Sequence, residues 1–155
     1  MERFVLIRPC EPADAAAIGA LAAEFQAYLR ALGDRTAFAW GAAEYLRDGF
    51  GDDPAFEGLV AEVDSNVVGY LLYDFGYDTD RGQRLVFIID LYAAATYRRC
   101  GLGRALMERA AVIGRSRSAE LMLWSVYRLN EVALRFYERI GARYVEGLHF
   151  MSMRI

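Results

Sequence analysis

The pattern of apolar and polar positions changes period several times along the chain, and each change predicts an element. Residues 3–8 (RFVLIR) read as a first strand that Pro9 stops. Glu11-Pro12 then opens a helix, with proline at its first position and Asp14 near the positive end of its dipole. Ile18, Leu21, Ala22, Phe25, Leu29 and Leu32 recur at spacings of three and four, and Gly33 ends the stripe. A weaker helix covers residues 42–50, before the turn Gly51-Asp52-Asp53-Pro54. Residues 56–63 and 67–75 then read as a hairpin around Asp64-Ser65-Asn66. A turn at 78–82 leads into residues 85–93 (LVFIIDLYA), the most β-rich run of the chain. Residues 101–114 form a helix with the stripe Leu102, Ala105, Leu106, Ala110 and Ile113, followed by a strand at 120–126. A last helix at 130–140 carries Ala133, Phe136, Tyr137 and Ile140 on one side, with Gly141 as its cap. One or two strands, at 143–146 and 150–155, close the series.

The order β-α-α-β-β-β-α-β-α-β(β) implies a mixed α/β (α+β) sheet, antiparallel in its first part and joined in parallel later. No repeat, low-complexity stretch or linker divides residues 1–155, so a single domain is expected. A length of 155 residues, 55% of them hydrophobic and 25% charged, suffices for one packed core and excludes a disordered tail. No apolar run reaches the roughly 18 residues of a membrane span, and the N-terminal stretch lacks the features of a signal peptide. Two distant cysteines, Cys10 and Cys100, fit neither a disulfide framework nor a metal site, so a reducing, cytoplasmic setting and no metal are expected.

Charge is informative when divided. Residues 1–80 hold 5 basic and 15 acidic side chains, whereas residues 81–155 hold 13 and 6. All 18 basic residues are arginine. A basic half suits an anion such as a phosphate and an acidic half suits cations, although codon usage and solvated helix faces give the same asymmetry. Absence of lysine removes Schiff-base chemistry and a Walker A loop, and the net charge of −3 argues against a nucleic-acid binder.

One segment is unlike the rest. A buried strand enters Tyr97-Arg98-Arg99-Cys100-Gly101-Leu102-Gly103-Arg104 and continues directly as a helix. Glycines at a helix start let a phosphate approach free backbone N–H groups, and the arginines add positive charge on the same rim. A tight turn with solvated arginines would have the same local pattern. The dinucleotide fingerprint is not met, since Leu106 stands where its third glycine would be.

This strand and loop resemble the acetyl-CoA pyrophosphate loop of the GNAT superfamily of N-acetyltransferases. A second block also resembles it, with Leu121-Met122-Leu123-Trp124-Ser125-Val126, then Asn130-Glu131-Val132-Ala133-Leu134-Arg135-Phe136-Tyr137, then Gly141-Ala142. Together the blocks cover residues 87–142, and Ile89-Asp90-Leu91-Tyr92 is most similar to the spermidine/spermine (diamine) acetyltransferase branch. The resemblance implies acetyl-CoA as cosubstrate. It places the amides of Leu91, Tyr92 and Ala93 at a strand bulge facing the thioester, and Arg98, Arg99, Cys100, Gly101, Leu102, Gly103 and Arg104 at the pyrophosphate. Asn130 and Ala133 would contact or make room for the cofactor, and Tyr137 would protonate the departing thiolate. A phenol with its ordinary pKa near 10 holds the proton this requires. By helix spacing alone, Tyr137 is a core aromatic beside Phe136.

The diamine branch usually carries a glutamate before the strand aspartate, and Ile89 stands there instead. Asp90 is the nearest carboxylate, on the face opposite Ile89 by alternation, where pairing with an arginine is an equal reading. Tyr70, Tyr73, Asp74 and Glu62 are other candidates for the base. For the acceptor, Tyr28, Trp40, Tyr73, Asp74, Asp90 and Trp124 are candidate contacts, joined by Glu24, Phe38, Phe75 and Tyr77. Carboxylates among aromatics suit an ammonium, while each aromatic alone fits core packing. The sequence thus points to N-acetyl transfer from acetyl-CoA to a primary amine of a small molecule. The alternatives are a non-catalytic acetyl-CoA sensor and a protein or peptide N-acetyltransferase. No nucleic acid or membrane partner is expected, and the aromatic-rich surface is compatible with a homodimer.

Overall fold

A computed structural model describes residues 4–155, so the expected strand start at Arg3 lies outside the described residues. The elements are β1 (Val5–Pro9), a 3-10 turn (Pro12–Asp14), α1 (Ala15–Ala31), α2 (Ala42–Gly49), β2 (Glu57–Val63), β3 (Asn66–Asp78), β4 (Gln83–Ala93), a second 3-10 turn (Ala95–Tyr97), α3 (Leu102–Ser116), β5 (Ala119–Trp124) and α4 (Glu131–Arg139). The chain divides into two compact units, the first ending at Ser125 and the second running Val126–Ile155.

In the first unit the strands line up as β1-β2-β3-β4-β5. The first three pairings are antiparallel and β4–β5 is parallel, with α3 as the crossover. The β2–β3 hairpin turns through two residues, and Asp64 and Ser65 both have positive φ, which matches the right-handed twist of the flanking strands. Proline at the start of the first helix forms a 3-10 turn, and the α-helix begins three residues later at Ala15. The Asp14 carboxylate receives the Arg8 guanidinium at 2.9 Å and the Glu11 N–H at 2.8 Å, tying β1 to this turn.

Two apolar layers cover the sheet. On one face Ile18 and Leu21 of α1 and Tyr45 of α2 pack with Phe56, Val60, Tyr70, Leu72 and Tyr92. The other face is covered by α3, whose Leu102, Leu106, Met107, Ala110 and Gly114 are buried. Gly114 allows the closest approach, because a Cβ there would lie 2.6 Å from Val86 Cγ2 of β4.

In the second unit, Asn130 caps α4 by accepting the Ala133 N–H at 3.2 Å, and Gly141 follows the helix with φ of 97°. The expected strands at 143–146 and 150–155 are not formed. Their apolar side chains, among them Val145, Phe150, Met151 and Met153, are exposed, and a β-prone run without a ladder partner stays irregular.

Candidate active site

The site in the first unit begins where β4 and β5 part. Their parallel pairing runs from Arg84 with Ala119 to Ile88 with Trp124, yet β4 continues to Ala93. Residues 90–93 are paired only to β3 among the described residues, which leaves their other edge open as a template for an extended ligand's amides.

The bulge lies earlier than the expected position around Leu91–Ala93. Leu72 pairs with Asp90 and Tyr73 with Ile88, so Ile89 is the extra residue. This insertion inverts the alternation of β4. Val86 and Ile88 belong to the α3 face, whereas Asp90 and Tyr92 stand opposite Leu72 and Tyr70 on the α1 face. Asp90 Oδ2 accepts the Tyr70 hydroxyl at 2.7 Å, and Oδ1 accepts the Leu91 N–H at 3.1 Å. The partner of Asp90 is therefore a phenol, not an arginine. Burial pushes its carboxyl up to about 6, against the opposing pull of the Tyr70 and Leu91 hydrogen bonds. Burial, and then the facing Asp90 charge, holds the Tyr70 phenol well above its usual range.

From Ala93 the chain passes through the second 3-10 turn into the glycine loop. Arg99 and Gly101 both have positive φ, of 62° and 78°, and no side chain caps α3. The helix therefore presents its first-turn N–H groups, from Leu102, Gly103 and Arg104, uncapped beside an exposed glycine. Its arginines differ. Arg98 turns back, donating to Tyr92 Oη at 3.0 Å and lying 4.6 Å over the Tyr28 ring. Arg104 donates to Glu108 at 2.7 Å, and Arg99 and Cys100 are exposed. Glu24 of α1 accepts both the Tyr92 hydroxyl and the Ala95 N–H at 2.8 Å, fastening the loop to α1. Burial raises the Tyr92 phenol to about 12, helped by Glu24.

The expected acceptor residues fall on two faces. Trp40 packs against the cluster containing Tyr70 and Tyr92. Asp74 shares that face by alternation with Leu72 and is exposed, whereas Tyr73 points to the α3 face. There the Tyr73 hydroxyl donates to Glu57, which also receives both Arg117 nitrogens, so Tyr73 belongs to a cluster away from Asp90. Phe75 lies under Arg117 in the same cluster, Tyr77 is exposed, and Trp124 ends β5 opposite Ile88. By sequence, Tyr70 is one candidate base among several. Twenty residues separate it from Asp90, and only the β3–β4 register joins them.

In the second unit, Asn130 is buried as the helix cap, Ala133 supplies the capped N–H, and the Tyr137 ring packs 5.1 Å from Phe136. Among the described residues no group of three or more His, Cys, Asp or Glu side chains could hold a metal, and no helix is long and apolar enough to cross a membrane.

The profile of the Acetyltransferase (GNAT) family matches residues 20–142. The chain belongs to this family. It is 32% identical over 158 residues to the thialysine N-epsilon-acetyltransferase of Bos taurus, covering 94% of this chain and 90% of that protein. It is 32% identical over 108 residues to the spermidine/spermine N(1)-acetyltransferase-like protein 1 of Homo sapiens, covering 65% of this chain and 15% of that protein. The fold superposes with a TM-score of 0.79 on the aminoglycoside N-acetyltransferase AAC(6')-Iy in complex with CoA, over 100% of this chain and 98% of that one, at 14% identity. This GNAT chain is an acetyl-CoA-dependent N-acetyltransferase, and the likeness to the diamine branch stands.

Proposed function

We propose that the chain acetylates a primary amine of a small molecule, of the diamine, polyamine or amino-acid-like class, by direct attack of the amine on acetyl-CoA. The observation that carries this reading is the run of β4 beyond its last pairing with β5, leading within ten residues to an uncapped helix behind a left-handed glycine. These features fit the two ends of a pantetheine diphosphate: open strand amides for the amide-bearing arm, and free helix N–H groups for the anion. Acetyl-CoA supplies an activated thioester carbonyl.

The chain's own residues then have separate tasks. Amides of the Leu91–Ala93 segment orient the arm, with the Leu91 N–H already engaged by Asp90. Backbone groups of Arg98, Arg99, Cys100, Gly101, Leu102, Gly103 and Arg104 hold the diphosphate, and Asn130 and Ala133 border it. Tyr137 gives its phenolic proton to the leaving thiolate. No covalent intermediate on the protein is invoked: burial pushes Cys10 up to about 12, and the exposed Cys100 thiol is turned to the Arg98 carbonyl, at 3.6 Å. Names of relatives that contain thialysine and spermidine/spermine support an acceptor with a primary amine. Carboxylates and aromatic rings on the α1 face, Glu24, Tyr28, Trp40, Asp74 and Asp90, suit the ammonium form of such an acceptor.

A CoA-release assay over diamines, polyamines, amino acids, aminoglycosides and peptides tests the reading. Saturable thiol release with at least one small primary amine is expected. The apolar Ile89 in place of the branch's glutamate favours one rival, a sensor that binds acetyl-CoA without turnover. That rival predicts thermal stabilisation by acetyl-CoA and no thiol release with any amine. Release confined to peptides would instead assign a peptide N-acetyltransferase.

A further inference from the structure

We infer that Asp90, oriented by Tyr70, is the catalytic proton acceptor for the attacking amine. The inference rests on the acyl-transfer reading above and names the group that reading leaves open. Three observations lead to it. The bulge at Ile89 places Asp90 on the α1 face, where an unbulged strand would have continued the α3 face from Val86 and Ile88. Bulges that re-aim a side chain are characteristic of strands at active sites. The bulge also coincides with the point where β5 leaves β4, so the carboxyl stands at the head of the open segment.

The second observation is its company. The best-shielded of the other paired carboxylates hold arginine: Asp14 and Glu62 take Arg8, and Asp78 takes Arg81. Among the described residues Asp90 has the Tyr70 hydroxyl and the Leu91 N–H as its hydrogen-bond partners and no arginine, although it is partly buried. An anion buried without a cation is costly, and an incoming ammonium offsets that cost. Third, the two hydrogen bonds use one position on each oxygen, leaving further lone pairs on both. Part of the residue stays accessible, as a proton acceptor requires.

In the step, one N–H bond of the acceptor ammonium breaks and its proton goes to a carboxylate oxygen of Asp90, directly or through one water. The freed electron pair on nitrogen forms the bond to the thioester carbon, the C–S pair leaves with sulfur as the thiolate, and the acylated nitrogen gives up its second proton to water to become the neutral amide. Tyr70 does not touch the amine in this scheme. It is a positioning residue, and its hydrogen bond keeps the carboxylate ionised near neutrality. Other titratable or charged groups on this face are Asp74 from β3, Tyr92 from β4, Glu24 and Tyr28 from α1, Tyr45 from α2, Cys10 after β1, and Arg98 from the loop.

The experiment is a pH profile of kcat/KM for the parent, Asp90→Asn and Tyr70→Phe, with an amine that the parent acetylates. The parent should lose activity on the acid side with a midpoint near 6. Asp90→Asn should remove that limb and lower the rate about 10²-fold, leaving only the rise set by the amine's own deprotonation. Tyr70→Phe should move the limb to higher pH, since the lost hydrogen bond favoured the ionised form. A readout independent of turnover accompanies these: the stability of the parent relative to Asp90→Asn should fall between pH 4 and pH 7. If Asp90→Asn keeps the parent's limb and rate, or the stability difference is flat with pH, this assignment is wrong while the acyl-transfer reading survives. If the unaltered protein releases no thiol with any amine, both fall together.

Discussion

At the scale of single residues, proton chemistry is proposed for two side chains of this GNAT chain. Asp90 also has a thermodynamic signature. Its carboxyl titrates about 6 when folded and near 4 when unfolded, so between those values the folded state binds more protons than the unfolded state. Stability contributed by the protonated acid is therefore complete below about pH 4 and declines as pH rises to about 6. The loss amounts to at most about 3 kcal/mol. A calorimetric series should find the gap between parent and Asp90→Asn closing or reversing above pH 6, and the opposite trend would contradict burial as the cause. Stability given up for an ionised carboxylate at neutral pH is a usual mark of a functional site. Tyr137 makes a separate claim. Tyr137→Phe should lower kcat about 10²-fold with little change in KM for acetyl-CoA, as expected for a group acting only in the transition state. An unchanged kcat with chemistry rate-limiting would reject it as the acid.

Whole elements answer to tighter steric rules. The α3 helix lies close enough to β4 that Gly114 has no room for a methyl group, with Val86 Cγ2 2.6 Å from its Cβ position. Gly114→Ala should cost about 1–2 kcal/mol net, because overpacking outweighs the gain of about 1 kcal/mol in helix propensity. Denaturant unfolding measures it, and adding Val86→Ala should recover most of the loss; a neutral Gly114→Ala would mean α3 can withdraw. Gly101 is the contrary case, with φ of 78° and nothing within 4 Å of a Cβ. Gly101→Val should strain the loop by about 1–2 kcal/mol and weaken CoA binding at least about ten-fold. Isothermal titration beside thermal melts separates the two effects. Loss of stability without loss of affinity would make this loop a turn and nothing more.

For the molecule as a whole, the charge division matters most. The acidic residues 1–80 include Glu24 and Asp74, and the basic residues 81–155 include the glycine loop. On the proposed function, a polyanionic cosubstrate and a cationic acceptor would each be drawn by one half, and salt screens both attractions. Raising ionic strength from about 0.05 to 0.5 M should raise KM for acetyl-CoA and for a diamine, each about three- to ten-fold, with kcat nearly constant. Steady-state kinetics in a series of salt concentrations checks this, and a KM for CoA indifferent to salt would exclude the arginine-rich rim from binding.

Much of this architecture was legible before folding. Periodicity located the helices and the five strands of the sheet to within a few residues, because apolar spacing is fixed by which face must be buried. The loop Arg98–Arg104 and the block from Asn130 to Tyr137 were legible for a local reason: each is a contiguous run whose glycines, cap and aromatics act on neighbours in the chain. The final strands failed because a strand exists only with a partner, and the tail's apolar residues found none. Tyr73 and Asp74 looked equivalent in sequence, yet pleating put the first against Glu57 and left the second on the face of Asp90. What the linear sequence determined by itself was the element order through α4 and the glycine loop that opens α3, both products of short-range spacing. Only the tertiary structure decided that one extra residue, Ile89, turns Asp90 to Tyr70, since a cross-strand register is a long-range property that no local pattern contains.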